Sequence, residues 1–150
     1  YEDKKLVLRN PNATRPWQHV IEPLVGYLKL AEKLSSKNGK LYCEPWNFGP
    51  SSKQNMKVKK LVQIFKNKMN SKSKIIIIKK DKRFHNKNIN IFESKNLNIN
   101  SKKTSKKLKW KPKLSIYKSV DLTVSWYKSF KTKENIFDLT NKQIKYYLDL

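Results

Sequence analysis

Glycine is scarce in this chain. Only Gly26, Gly39 and Gly49 occur in 150 residues, each far from the others. A turn that cradles a dinucleotide phosphate needs clustered glycines between a strand and a helix, so that backbone can approach the pyrophosphate. No such turn can be built here, and no residue is assigned to cofactor binding. Cysteine is scarcer still. Cys43 stands alone, which excludes an intrachain disulfide. With only two histidines beside it, a usual structural zinc site is excluded too, and no metal ligand is assigned. Long apolar runs are missing: the longest plain one is Ile75 to Ile78, against the roughly 20 residues of a membrane-spanning helix. No charged-then-apolar leader opens the chain. These absences point away from a membrane and toward a reducing, cytoplasmic compartment. Arginine is the last scarcity, at three residues against 32 lysines.

What is present is positive charge, a formal +24 in a length suited to one modest domain. The charge is uneven. Residues 53–113 hold 21 basic and 2 acidic side chains, and so carry +19 of the total. Two readings compete. The lysines can serve a polyanion, which makes the segment a nucleic-acid-binding module. Alternatively, lysine, asparagine and isoleucine are abundant because the codons are A+T-rich, and the lysines form a solvated surface. Lysine used almost without arginine favours the second, since bidentate phosphate and base contacts call for the guanidinium fork.

Apolar spacing then places the elements. Lys5 to Arg9 reads as a short strand, and Pro11 and Pro16 bracket a loop. Val20, Ile21, Leu24, Val25, Leu28, Ala31 and Leu34 recur at helical spacing and predict a helix over Val20 to Leu34. Pro23 fits only its first turn, and the Lys37–Gly39 triplet ends it. Glu44 to Pro50 reads as a short strand and a turn. Met56 to Met69 reads as a second helix with Val58, Leu61, Val62, Phe65 and Met69 on one face, and Ile75 to Ile78 as a buried strand. Alternate apolar positions in Asn86 to Asn100 suggest short strands. Ser101 to Leu108 is a short basic helix, and Trp110 with Pro112 marks a turn. Ser115 is an N-cap for a helix reaching Phe130, with Tyr127 on its core face. The tail after Lys131 is polar but aromatic, with a further short helix.

Catalytic constellations are thin. Tyr-x-x-x-Lys occurs at Tyr1–Lys5 and Tyr127–Lys131, and 32 lysines make chance matches expected. Cys43 and His85 lie in unrelated segments with no orienting motif and read as structural. No catalytic residue is assigned. The densest polar chemistry is Arg15–Pro16–Trp17–Gln18–His19. Arg15 offers a fork for phosphate oxygens, Trp17 a flat face, and His19 a donor and acceptor at a helix mouth that itself favours anions. That set suits a diphosphate-bearing ligand. It equally suits a core tryptophan, a helix-capping histidine and a surface arginine, and residue chemistry leaves both open.

The stretch RNPNATRPWQHVIEPLVGYLKLAEKL, Arg9 to Leu34, closely resembles the CDP-glucose 4,6-dehydratase family of the extended short-chain dehydrogenase/reductase superfamily. EPWNFGP, Glu44 to Pro50, is similar to the family's Trp-Asn-Phe-Gly-Pro turn, and Phe92 to Phe130 to its ending. Three departures stand out. Phe92 replaces a His, Asn100 stands where Asp is usual, and Lys109 replaces the Gly before Trp110. Residues 66–91 have lost most family character.

The resemblance implies an α/β chain that is the C-terminal, substrate-binding portion of a Rossmann-like fold, with an incomplete parallel sheet plus a small α/β lobe. Residues 1–131 would form that portion, and 132–150 a tail. The implied reaction is intramolecular redox in which NAD serves the full-length enzyme and CDP-glucose becomes its 4-keto-6-deoxy product. This chain lacks the family's cofactor turn and catalytic dyad, so the resemblance implies substrate binding without activity of its own. The implied partners are CDP-glucose, an N-terminal Rossmann half in the same or another polypeptide, and a second copy in a family-type homodimer. By superfamily analogy Arg15 is the first phosphate ligand and Asn47 the next, while Asn12, Trp17 and His19 line the same pocket.

Overall fold

A computed structural model describes residues 5–78 and 94–150. It is a mixed α/β protein that contains a small parallel sheet. The elements in chain order are β1 (Leu6–Leu8), β2 (Thr14–Pro16), α1 (Ile21–Leu34), β3 (Asn55–Lys57), α2 (Val58–Lys68), β4 (Ile75–Ile77), α3 (Lys102–Lys107), α4 (Ile116–Lys131) and α5 (Ile136–Leu148). Short 3-10 turns lie at Gly39–Tyr42 and Ser52–Gln54. Among the described residues no helix is long and apolar enough to cross a membrane. The chain divides into two compact units, residues 1–15 with 56–97, and residues 16–55 with 98–150.

In the first unit β1 and β4 pair in parallel, with Leu6 opposite Ile75 and Leu8 opposite Ile77. Parallel strands need a long crossover, and the intervening chain carries α2. That helix buries Leu61 on the predicted face, with Val58, Val62 and Phe65 half-buried beside it. No side chain caps its start. Instead the amide N–H groups of Val58 and Lys59 donate to the carbonyls of Ala13 and Pro11, at 3.0 and 2.9 Å. These serve donors that every helix leaves unpaired in its first turn. The loop expected between Pro11 and Pro16 is therefore partly ordered as β2, which pairs with β3. The isoleucine run is a strand but not a buried one: Ile75 and Ile76 are half-buried and Ile77 is 56% exposed. A pair of strands has too little neighbouring surface to cover both faces. The strands expected over Asn86 to Asn100 fall partly outside the described residues. From Ser94 onward there is one isolated bridge, Asn96 to Thr14, and Leu97 and Ile99 are exposed.

In the second unit α1 spans the predicted residues, with Pro23 in its first turn, where a missing N–H costs nothing. It ends at Leu34, before the Lys37–Gly39 triplet. The face it buries differs from the one its leucines mark. Val20, Leu24, Leu28 and Leu34 are all exposed, while Ile21, Glu22 and Gly26 are buried. Gly26 explains part of this rotation, because a side chain there would collide with the ring of Phe48. Ile21 packs with Leu114 and Tyr147, and Val25 and Leu122 flank them. A second cluster holds Phe48, Leu108 and Trp110, with Phe48 and Trp110 edge to face at 5.2 Å. Glu44 to Pro50 forms no strand; it runs irregularly into a buried Phe48–Gly49–Pro50. Ser115 caps α4 as expected, its side chain accepting from the Lys118 amide at 3.2 Å. Ile116, Val120 and Val124 are buried, but Tyr127 is 47% exposed rather than core, because it borders an open cavity instead of packed side chains. The polar, aromatic tail forms the thirteen-residue α5, which buries Tyr147 and Gln143.

Candidate functional site

In the first unit, Arg15 is half-buried on β2. Its Nη1 donates to the carbonyls of Thr14, at 2.9 Å, and Ser94, at 3.0 Å. The arm is thereby anchored to backbone, and the segment around Ser94 is drawn to β2 by the Thr14 amide, which donates to the Lys95 carbonyl at 2.8 Å. Asn12 is exposed, in a turn closed by the Ala13 amide on the Asn10 carbonyl at 3.1 Å.

The second unit holds Trp17, His19 and Asn47. Trp17 and His19 are half-buried. Nδ1 of His19 accepts from the Ile21 amide at 3.3 Å, at the mouth of α1. Val20, at the cap position, offers no side-chain bond, so the imidazole supplies the missing acceptor. Accepting at Nδ1 places the neutral ring's proton on Nε2. Burial pushes this histidine below its ordinary pKa and keeps it neutral. Gln18 binds the two motif segments of this unit together, its amide donating to the Phe48 carbonyl at 2.8 Å. Its Oε1 is buried and has no partner among the described residues.

The Asn47 side chain is exposed, but its backbone is fixed by α3. The Thr104 hydroxyl donates to the Asn47 carbonyl at 2.6 Å, and the Gly49 amide donates to Ser101 Oγ at 2.7 Å. Asn100 Oδ1 accepts from the Lys102 amide at 3.0 Å and so serves the first turn of α3. This is work that an aspartate would do equally. At the far end of α3, Lys109 holds a left-handed backbone with φ of 52°. Beside this segment Trp46 donates to the Tyr42 carbonyl at 2.9 Å. Lys103 lies over its ring at 4.6 Å, and Lys103 and Lys107 both pair with Glu44. Those two lysines hold the Glu44 carboxyl below its usual range, Lys107 foremost.

The candidate residues therefore fall in two groups, Asn12 and Arg15 in one unit, Trp17, His19 and Asn47 in the other. Gln18, Ser101 and Thr104 place the second group. Nothing in their spacing marks them, since their partners are 30, 52 and 57 residues away. Tyr1, His85, Phe92 and Glu93 lie outside the described residues.

At the start of α1, wholly within the second unit, lies a cavity of about 450 Å³. His19, Ile21 and Leu24 form one wall, and Trp126, Tyr127 and Ile144 of α4 and α5 another.

No protein-family model matches the chain. Over 146 residues, 97% of its length, it is 27% identical to the CDP-glucose 4,6-dehydratase of Salmonella typhimurium, strain LT2. It covers 38% of that protein, so it spans about two fifths of the length of this curated relative. The resemblance carried by the Arg9–Leu34, Glu44–Pro50 and Phe92–Phe130 segments is thus met by an alignment along nearly the whole chain.

Proposed function

We propose that this chain is the substrate-binding, C-terminal portion of a CDP-glucose 4,6-dehydratase in the extended short-chain dehydrogenase/reductase superfamily. A Rossmann portion would be supplied in the same polypeptide or by another. The observation that carries the reading is the alignment over 97% of the chain with a sugar-nucleotide dehydratase. The family reaction needs NAD, which takes and returns a hydride. With three dispersed glycines these residues do not fit its phosphates, and no step is assigned to this chain through it. Its share is to bind and orient the sugar nucleotide.

Within that share, Arg15 is the residue that contacts the diphosphate. Its arm is held by the carbonyls of Thr14 and Ser94, and charge-assisted bonds to phosphate are among the strongest a side chain makes. Asn47 offers an amide on a backbone made rigid by Thr104. Asn12, Trp17 and His19 shape the surroundings, with His19 neutral and so adding no charge. Holding substrate in one pose is a large part of what such a site contributes to rate.

Calorimetry with the full-length enzyme tests this. CDP-glucose binds, and Arg15→Ala weakens binding by about tenfold, on the order of 1.5 kcal/mol for a charge-assisted bond. Unchanged affinity would remove Arg15 from the site, and no binding by the parent would remove the reading. The +19 carried by residues 53–113 favours a second reading, a nucleic-acid-binding module. It predicts gel retardation of RNA or DNA at low salt that collapses steeply as salt rises.

A further inference from the structure

We infer that the cavity at the start of α1 is a binding site for a neutral, planar aromatic ligand that presents a hydrogen-bond acceptor to Nε2–H of His19. The inference shares His19 with the reading above but does not rest on it.

Three observations carry it. The first is size and shape. About 450 Å³ lies within the range of small-molecule pockets, which are mostly apolar with a few polar groups that fix orientation. All of its walls belong to one unit.

The second is charge. Charged residues make up 31% of the chain, yet among the described residues none lines this cavity. An ionised ligand would be desolvated there without a counter-charge, which is costly. A neutral ring would lie against Ile21, Leu24 and Ile144 and meet Trp126 and Tyr127, where aromatic pairs add to area burial.

The third is the polar inventory. The Trp126 indole N–H is spent on Thr140 Oγ1 at 3.0 Å, and the Thr140 hydroxyl on the Ile136 carbonyl at 2.8 Å. The Thr123 hydroxyl serves the Ser119 carbonyl, and the Gln143 amide serves the Leu122 carbonyl and Ser125. The Gln18 amide donates to the Phe48 carbonyl, and its Oε1 is an acceptor without a partner among the described residues. Among the donors, His19 differs. Its Nδ1 is occupied by the Ile21 amide, so Nε2 carries the proton, and Nε2 makes no hydrogen bond among the described residues. The capping bond sets the tautomer, and burial keeps the ring a neutral donor. A ligand acceptor would complete the donor that His19 leaves open.

Quinoline and naphthalene test this, because they are nearly the same shape and only quinoline has an acceptor. The 150-residue chain is titrated at pH 7.5 while the Trp126 indole signal is followed by NMR. Quinoline gives a saturating shift and binds about fivefold tighter than naphthalene, the scale of one net hydrogen bond. His19→Asn keeps an acceptor for the Ile21 amide but removes the Nε2 donor, and it brings the two affinities together. No saturable shift with quinoline, or equal affinities in the unmodified chain, would overturn the inference. Cytidine as a competitor distinguishes the sources of such a ring. Displacement of quinoline assigns the cavity to the base of a sugar nucleotide, and its absence assigns it to another aromatic compound. CDP-glucose affinity is read separately, so the two proposals fail independently.

Discussion

The carboxylate of Glu22 in α1 accepts a hydrogen bond at 3.2 Å from the hydroxyl of Tyr147, which lies 125 residues later in α5. Both side chains are almost fully buried, at 1% exposure each. The same carboxylate takes the amide N–H groups of Lys113 and Leu114, at 3.0 and 2.6 Å, and the Glu22 carbonyl takes the Trp110 indole N–H at 3.0 Å. One residue thus joins α1, the loop before α4, and α5.

Glu22→Ala is expected to be severely destabilising, by about 3 kcal/mol or more. It strands two amide donors and a phenol in the interior, each costing roughly 1–3 kcal/mol. Glu22→Gln retains an oxygen for the two amides and turns its NH2 toward the Tyr147 oxygen, so the loss stays within about 1.5 kcal/mol. Urea unfolding of both variants checks the contrast. Equal losses would show that charge, rather than acceptance, holds the three elements together.

Stability should also depend on pH through this group. Burial, the largest influence, raises the Glu22 pKa above 4.5, against the opposing effect of its hydrogen bonds and Lys113. A raised folded pKa means that the folded state binds more protons than the unfolded one in the window above 4.5. Glu22's contribution is therefore full below 4.5 and is lost as pH rises through the raised value. His19 runs the other way. Its folded pKa lies below 6.5, so its contribution is full above 6.5 and is lost as pH falls through the lowered value. Subtracting the Glu22→Gln profile from that of the parent should leave a difference that falls with rising pH and then levels. The His19→Asn difference should rise with pH and level above 6.5.

Gly26→Ala tests the packing of α1. Alanine ordinarily favours a helix interior over glycine by up to about 1 kcal/mol. Here the added methyl would meet the Phe48 ring, itself held edge to face against Trp110. The expected net result is destabilisation of about 1–3 kcal/mol, as for other overpacked cores. A higher melting temperature in the variant would show that Phe48 yields easily.

Lys109→Gly should stabilise the chain by about 1 kcal/mol. Lys109 follows the end of α3 in the left-handed region, the position where helices commonly place glycine. Denaturation midpoints decide it, and an unchanged midpoint would mean that lysine bears no strain there.

The last variant shows how far the sequence could be read. Lys109 stands where the resembling family has glycine, and the departure falls on a backbone conformation that glycine suits. Helix starts were legible for a similar reason. Ser115 needs only the amide three residues on, and Pro23 only a first turn. The face of α1 was not legible. Its leucines lie at helical spacing, but the buried side is set by a glutamate whose donors lie 91 and 92 residues away and by a glycine that admits a ring. Hydrophobic periodicity carries no record of either.

By itself, then, the sequence determined where most helices and strands begin and end, because propensity, capping and proline act over a few residues. It also carried the resemblance of the Arg9–Leu34 stretch to a sugar-nucleotide dehydratase, because side-chain order is its own record. Only the tertiary structure decided that Glu22 is buried, that Arg15 is anchored through the carbonyls of Thr14 and Ser94, and that His19 caps α1 while lining a charge-free cavity. Each of the first two depends on a donor or acceptor tens of residues away, and the cavity of the third is walled by α4 and α5. Only chain folding brings such groups within hydrogen-bonding or packing distance.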